Sequence, residues 1–138
     1  MNKQVHWAWG VLAFVLFAGL MASVAQAQSI KAEIPFEFVV GNKRMAEGEY
    51  TLRSLFPNTI LIRKADCSSS VMVLTLSVEA KNIQDTGKLI FNQYGDQYFL
   101  SQIWTPGTDN GLMVSKSRSE REISLRAPNH EVTTVALK

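Results

Sequence analysis

Between Lys88 and Trp104 two runs rich in β-branched and aromatic residues flank the dipeptide Gly95-Asp96. Two residues of this turn-forming kind between two such runs fold the chain back on itself as an antiparallel hairpin. The loop position sets the register: Tyr94 faces Gln97, Gln93 faces Tyr98 and Phe91 faces Leu100. Leu89, Phe91, Tyr98, Leu100 and Trp104 then fall on one face, and Ile90, Tyr94, Phe99 and Ile103 on the other. Both faces are partly apolar, so the hairpin is expected to be covered on both sides.

The rest of the chain follows the same period of two. Ile34, Phe36, Phe38 and Val40 alternate with Glu33, Pro35, Glu37 and Val39, which predicts a strand; Pro35, with no N–H to donate, predicts an edge position. Gly41–Arg44 reads as a polar turn, Glu47-Gly48 as another, and Tyr50–Arg53 as a resumed strand that Phe56-Pro57-Asn58-Thr59 breaks. Ile60–Lys64 is a short strand and Asp66–Ser70 a polar loop. Val71–Val78 is the strongest strand, with Met72, Leu74, Leu76 and Val78 on one face and Val73, Thr75 and Ser77 on the other. Asn82–Gly87 and Thr105–Gly111 read as loops. Ser117–Ala127 is the one helix candidate: Ser117 and Glu120 have capping-box spacing, Ile123 is the inward residue with Leu125 or Ala127 beside it, and Ala127-Pro128-Asn129 stops the helix. Glu131–Leu137 reads as a last strand. The expectation is a mainly β single domain, a small β-sandwich or open barrel of seven or eight strands with one short helix near the C-terminus.

The first 27 residues differ in kind. Lys3 precedes an uncharged stretch from Trp7 to Val24, and Ala25-Gln26-Ala27 has the small-x-small pattern that a signal peptidase accepts. This predicts a signal peptide over 1–27 and a mature domain over 28–138 starting at Gln28. An uncleaved anchor is the competing reading, since the stretch approaches the length of a membrane span. The polar break at Ser23 and Gln26, and the lack of a Lys/Arg cluster after it, favour cleavage. The expected location is therefore the periplasm or the cell exterior, with no transmembrane anchor left.

Only Lys3 of the 14 basic residues, and none of the 12 acidic ones, lies in that leader, so the mature chain has a formal charge of +1. Charge this balanced and interspersed makes no electrostatic case for nucleic acid or for an anionic membrane. The single cysteine, Cys67, excludes an internal disulfide; pairing between chains and a free thiol without a role are the two readings left, the second favoured. With one histidine in the mature chain, His130, and one cysteine far from it, a zinc site lacks ligands, and no cofactor is expected. A Ser-His-acid triad would have to use His130, which nothing pairs with a particular serine. Glu33 and Glu37 share a strand face roughly 13 Å apart, too far for a glycosidase pair. Lys116, Arg118, Arg121 and Arg126 interleave with Glu120 and Glu122 and read as a salt-bridged helix surface.

Gly48-x-Tyr50 has the look of a tyrosine corner, a Tyr at a strand start whose hydroxyl bonds back to nearby backbone. Tyr94, Tyr98, Phe99 and Trp104 form the most suggestive group. Aromatics on a hairpin suit a sugar ring or an extended peptide, so carbohydrate or protein is the partner class they admit. Core packing is the stronger reading, because aliphatics interleave with them.

Ile34-Pro35-Phe36-Glu37-Phe38-Val39-Val40-Gly41, Gly48-Glu49-Tyr50-Thr51-Leu52 and Phe91–Leu100 resemble segments of a group of small exported bacterial proteins. That group shares a signal peptide, an I-P-F-x-F opening, an A-G-x-Y turn and a Y-G-x-x-Y-F-L hairpin. The chain departs from it at Glu47, where the group often has Ala. The resemblance implies export and a single domain, and it assigns no functional residue. Taken together, these readings predict an exported, non-enzymatic domain with a binding or structural role; a small extracytoplasmic hydrolase is the alternative.

Overall fold

The computed structural model describes residues 29–127 and 129–138. The leader read at 1–27 lies outside them. Ten strands and one helix follow in chain order: β1 (Ser29–Ile34), β2 (Phe38–Val40), β3 (Lys43–Met45), β4 (Gly48–Phe56), β5 (Thr59–Lys64), β6 (Ser70–Glu79), β7 (Lys88–Tyr94), β8 (Gln97–Trp104), β9 (Asn110–Val114), α1 (Arg118–Arg126) and β10 (Glu131–Ala136). The fold is mainly β, a single sheet curled into an open barrel, with one short helix near the C-terminus.

Across the hydrogen bonds the strands run β1-β4-β5-β6-β9-β8. One edge of β8 is paired along its length by β7, which in turn pairs β10. Its other edge is shared: Gln102–Trp104 take β9, and Phe99 takes β2 through a parallel bridge to Val39. The β2–β3 hairpin thus fills the space that β9 leaves beside β8. The last strand returns to the first at one antiparallel bridge, Ala32 to Leu137, where the Lys138 amide donates to the Lys31 carbonyl at 2.9 Å. Lys138 Nζ reinforces the seam by contacting Glu33 at 3.1 Å and Glu49 at 3.8 Å. One bridge in place of a ladder is what keeps the barrel open.

Inward side chains from every part of the sheet make one core, with Ile34, Phe38, Met45, Tyr50, Leu52, Ile62, Leu89, Phe91 and Ile103 all within 1% of full burial. Phe91 is its aromatic hub. The rings of Phe36 and Phe38 meet it edge-on at centroid distances of 5.0 and 5.6 Å, the arrangement the ring quadrupole favours. Tyr50 is a tyrosine corner: its buried hydroxyl donates to the Ala46 carbonyl and pins the β3–β4 turn.

The β7–β8 hairpin has the predicted register from Tyr94/Gln97 to Phe91/Leu100. A bulge beyond Phe91 then shifts the pairing by one, so Leu89 faces Ile103 and Lys88 faces Trp104. Ile103, not Trp104, therefore joins Leu89, Phe91 and Leu100 in the core. Two further expectations change, and the structure decides a point that alternation leaves open. The run Glu33–Val40 is two strands, because Pro35 ends β1 and the chain turns to a new partner at Phe38. Asn110–Val114 is a strand, held between β6 and β8. The inward face of β6 is Val73 and Thr75, while Met72, Leu74 and Leu76 are 64%, 67% and 59% exposed. Pairing of Ile60 with Val73 decides this, since opposed residues in a ladder share a face and Ile60 is in the core.

Candidate functional site

The curl of the sheet leaves a concave mouth at one end of the barrel. Its walls are Ile30 of β1, Leu52 of β4, Ile60 of β5, Ile103 of β8 and Leu112 of β9, enclosing about 440 Å³. The rim is polar but uncharged: Ser54, Ser77, Thr105, Thr108 and Asn110. No ionisable side chain lines it. A second hollow of about 670 Å³ shares Ile30, Thr105 and Thr108 with the first and continues along the β1–β10 seam to Gly87, Pro106 and Leu137.

The rim loop is held in place from outside. Gly107 N donates to the Gln84 carbonyl at 2.8 Å and Gln84 N to the Thr108 carbonyl at 2.9 Å, and Ala80 N reaches the Asp109 carbonyl at 2.7 Å. Gly107, at a φ of 78°, allows the turn that these bonds close. Gly111 is needed for a different reason: a Cβ there would lie 2.6 Å from the Trp104 ring, which rests on the bare backbone. One inward residue pair deeper along β6, Thr75 Oγ1 is buried and has no hydrogen-bond partner.

A second polar group lies under α1. Ser117 caps the helix by accepting from the Glu120 amide at 3.2 Å, which is half of the predicted capping box. The Glu120 side chain, instead of reaching back to the cap, turns inward and is 3% exposed. Its Oε1 accepts from Asn92 Nδ2 at 2.9 Å and Tyr94 Oη at 3.3 Å. Burial, with the Glu120 charge and hydrogen bond adding, pushes the Tyr94 phenol above its ordinary value. His130 is exposed and lays its ring 5.2 Å from that of Tyr94. This cluster is a latch between helix and hairpin: its carboxylate is shielded from any substrate and already holds two donors.

The four aromatics singled out in the sequence do not form an exposed platform. Tyr94, Phe99 and Trp104 are 5%, 2% and 7% exposed, and half-buried Tyr98 is stacked 3.9 Å under Phe36. The second face of the hairpin, where Tyr94 and Phe99 lie with Asn92, is covered as its apolar residues require. The mouth residues that take their place are not legible as a site in the sequence, because they come from six separate strands and the loop after β8.

The remaining candidates are dispersed. Glu33 is paired with Lys138, and Glu37 with Arg44 at 3.2 Å, on either side of the break at Pro35. Cys67 is free and exposed at a φ of 62° in the β5–β6 loop. Among the described residues no group of three His, Cys, Asp or Glu side chains is placed to hold a metal ion. No family model, curated protein or solved structure matches the chain.

Proposed function

We propose that this is an exported binding domain, not an enzyme, and that it takes one small, largely apolar, uncharged molecule into the barrel mouth. The mouth itself is the observation that carries this reading. Its volume lies within the usual range for small-molecule sites, and its make-up is the usual one of apolar walls with a few polar groups at the rim. Eight strands in the main circuit give an interior wide enough for one small ligand. The uncharged lining favours a neutral ligand, because a buried charge without a partner costs several kcal/mol. Hydrolysis is the weaker alternative: Ser54, Ser77, Thr105 and Thr108 supply hydroxyls, with no histidine or carboxylate lining the mouth to activate one.

The test is titration with a neutral apolar fluorophore, N-phenyl-1-naphthylamine, on protein recovered from export. Intact mass on the same sample reads the N-terminus, expected at Gln28. Saturable one-site binding should be lost in Ser77→Trp, which fills the mouth from an exposed rim position, and kept in Leu74→Asp on the outer face. Binding that is unsaturable, or unchanged in a folded Ser77→Trp protein, would sink the proposal.

A further inference from the structure

The outer face of β4–β6 and β9 carries an apolar stripe that the core does not use. Along β6, Met72, Leu74 and Leu76 point outward in a line about 13 Å long. Cross-strand neighbours widen it: Leu61 lies beside Met72, Met113 beside Leu76, and Phe56, 64% exposed, reaches Leu74 through Thr59. Exposed apolar surface that is contiguous marks a contact site.

The charges that directly flank the stripe are basic. The next outward-facing row is Lys31-Thr51-Arg63-Ser70, and Arg53 flanks Leu61. On the far side a cleft of about 440 Å³ separates Met72 and Leu74 from Lys116, Arg118 and Arg121 at the start of α1. From the Lys31 row to the Leu76–Met113 pair, no residue in these ladders is acidic. The acidic groups nearby are Glu33 and Glu49, one outward row beyond Lys31 and both contacting Lys138, Asp66 in the β5–β6 loop, and Glu122, already paired with Arg118 at 3.2 Å. In a mature chain of nearly balanced charge, this is a local concentration of cations around exposed Leu, Met and Phe.

We propose that this face rests on an anionic lipid bilayer, with the β6 side chains inserted at the headgroup boundary and the flanking Arg and Lys on the lipid phosphates. Apolar residues set among cations are the composition that anionic interfaces select. A bilayer accepts protruding side chains without a matching socket. Strand addition by a peptide would pair a sheet edge and leave the outward side chains of this face uncovered. This proposal is independent of the mouth.

Vesicle flotation tests it, using the exported chain with the same N-terminus in every variant. Wild type should float with phosphatidylglycerol-containing vesicles and not with phosphatidylcholine alone, and lose at least about tenfold in partitioning between roughly 0.05 and 0.5 M salt. Met72→Ser/Leu74→Ser and Arg53→Gln/Arg63→Gln should each lose about tenfold with unchanged melting temperature; the second pair decides the matter should the first fail to fold. Equal flotation on neutral vesicles, no flotation of wild type, undiminished flotation of folded variants, or tighter capture by polyglutamate or by a second copy of the chain would each overturn it.

Discussion

Removal of the Glu120 carboxylate is the sharpest test of how α1 is held. Glu120→Ala leaves Asn92 Nδ2 and the Tyr94 hydroxyl without their shared acceptor, in residues 8% and 5% exposed. Stranding a buried polar group costs about 1–3 kcal/mol each, so the pair costs about 2–6 kcal/mol. Relief of the buried carboxylate's own desolvation offsets part of this, leaving a net loss of about 2–4 kcal/mol. Tyr94→Phe removes only the longer bond, of 3.3 Å, and should cost about 0.5–1.5 kcal/mol. Urea denaturation of both single variants and the double gives the coupling directly; about 1 kcal/mol is expected, since the partners touch. Thermal melts should fall by about 4–8 °C per kcal/mol. If Glu120→Ala melts like wild type, or the two changes are additive, the cluster does not hold the helix and the latch is wrong.

Two further outcomes follow from buried polar groups. Thr75→Val exchanges a buried, unpartnered hydroxyl for a methyl of similar shape, and should raise stability by about 1 kcal/mol in the same urea assay; a loss of stability would mean that the hydroxyl has a partner. Alkaline stability should also bend. Burial, aided by Asp66 for Tyr50 and by Glu120 for Tyr94, raises both phenols above 10.0. The native state therefore keeps protons that the unfolded chain sheds: the contribution is whole below pH 10 and is lost as pH rises through the native values. Tyr94→Phe should flatten this limb of the stability curve, and an identical slope in variant and wild type would refute the assignment.

What the sequence determined by itself was local. The turn at Gly95-Asp96 settled the hairpin register as far as Phe91/Leu100, Ser117 set the start of α1, and Tyr50 marked its corner, because each signal joins residues a few positions apart. Alternation showed that β6 has two faces but not which is inward, and the more apolar face proved to be the outer one. That choice lies with Ile60 and its ladder to Val73. The same holds for the strand at Asn110–Val114, whose own residues are a weak β signal until β6 and β8 pair with it. Glu120 reads as a capping residue on a solvated helix; only the arrival of Asn92 and Tyr94, 28 and 26 positions away, makes burial of its carboxylate affordable. The mouth belongs wholly to the tertiary structure, since side chains of β1, β4, β5, β6, β8 and β9 share one cavity only when the sheet curls. Period, turn and cap chemistry act within a few residues, whereas the choice of inward face and the shape of a cavity depend on partners brought from across the chain.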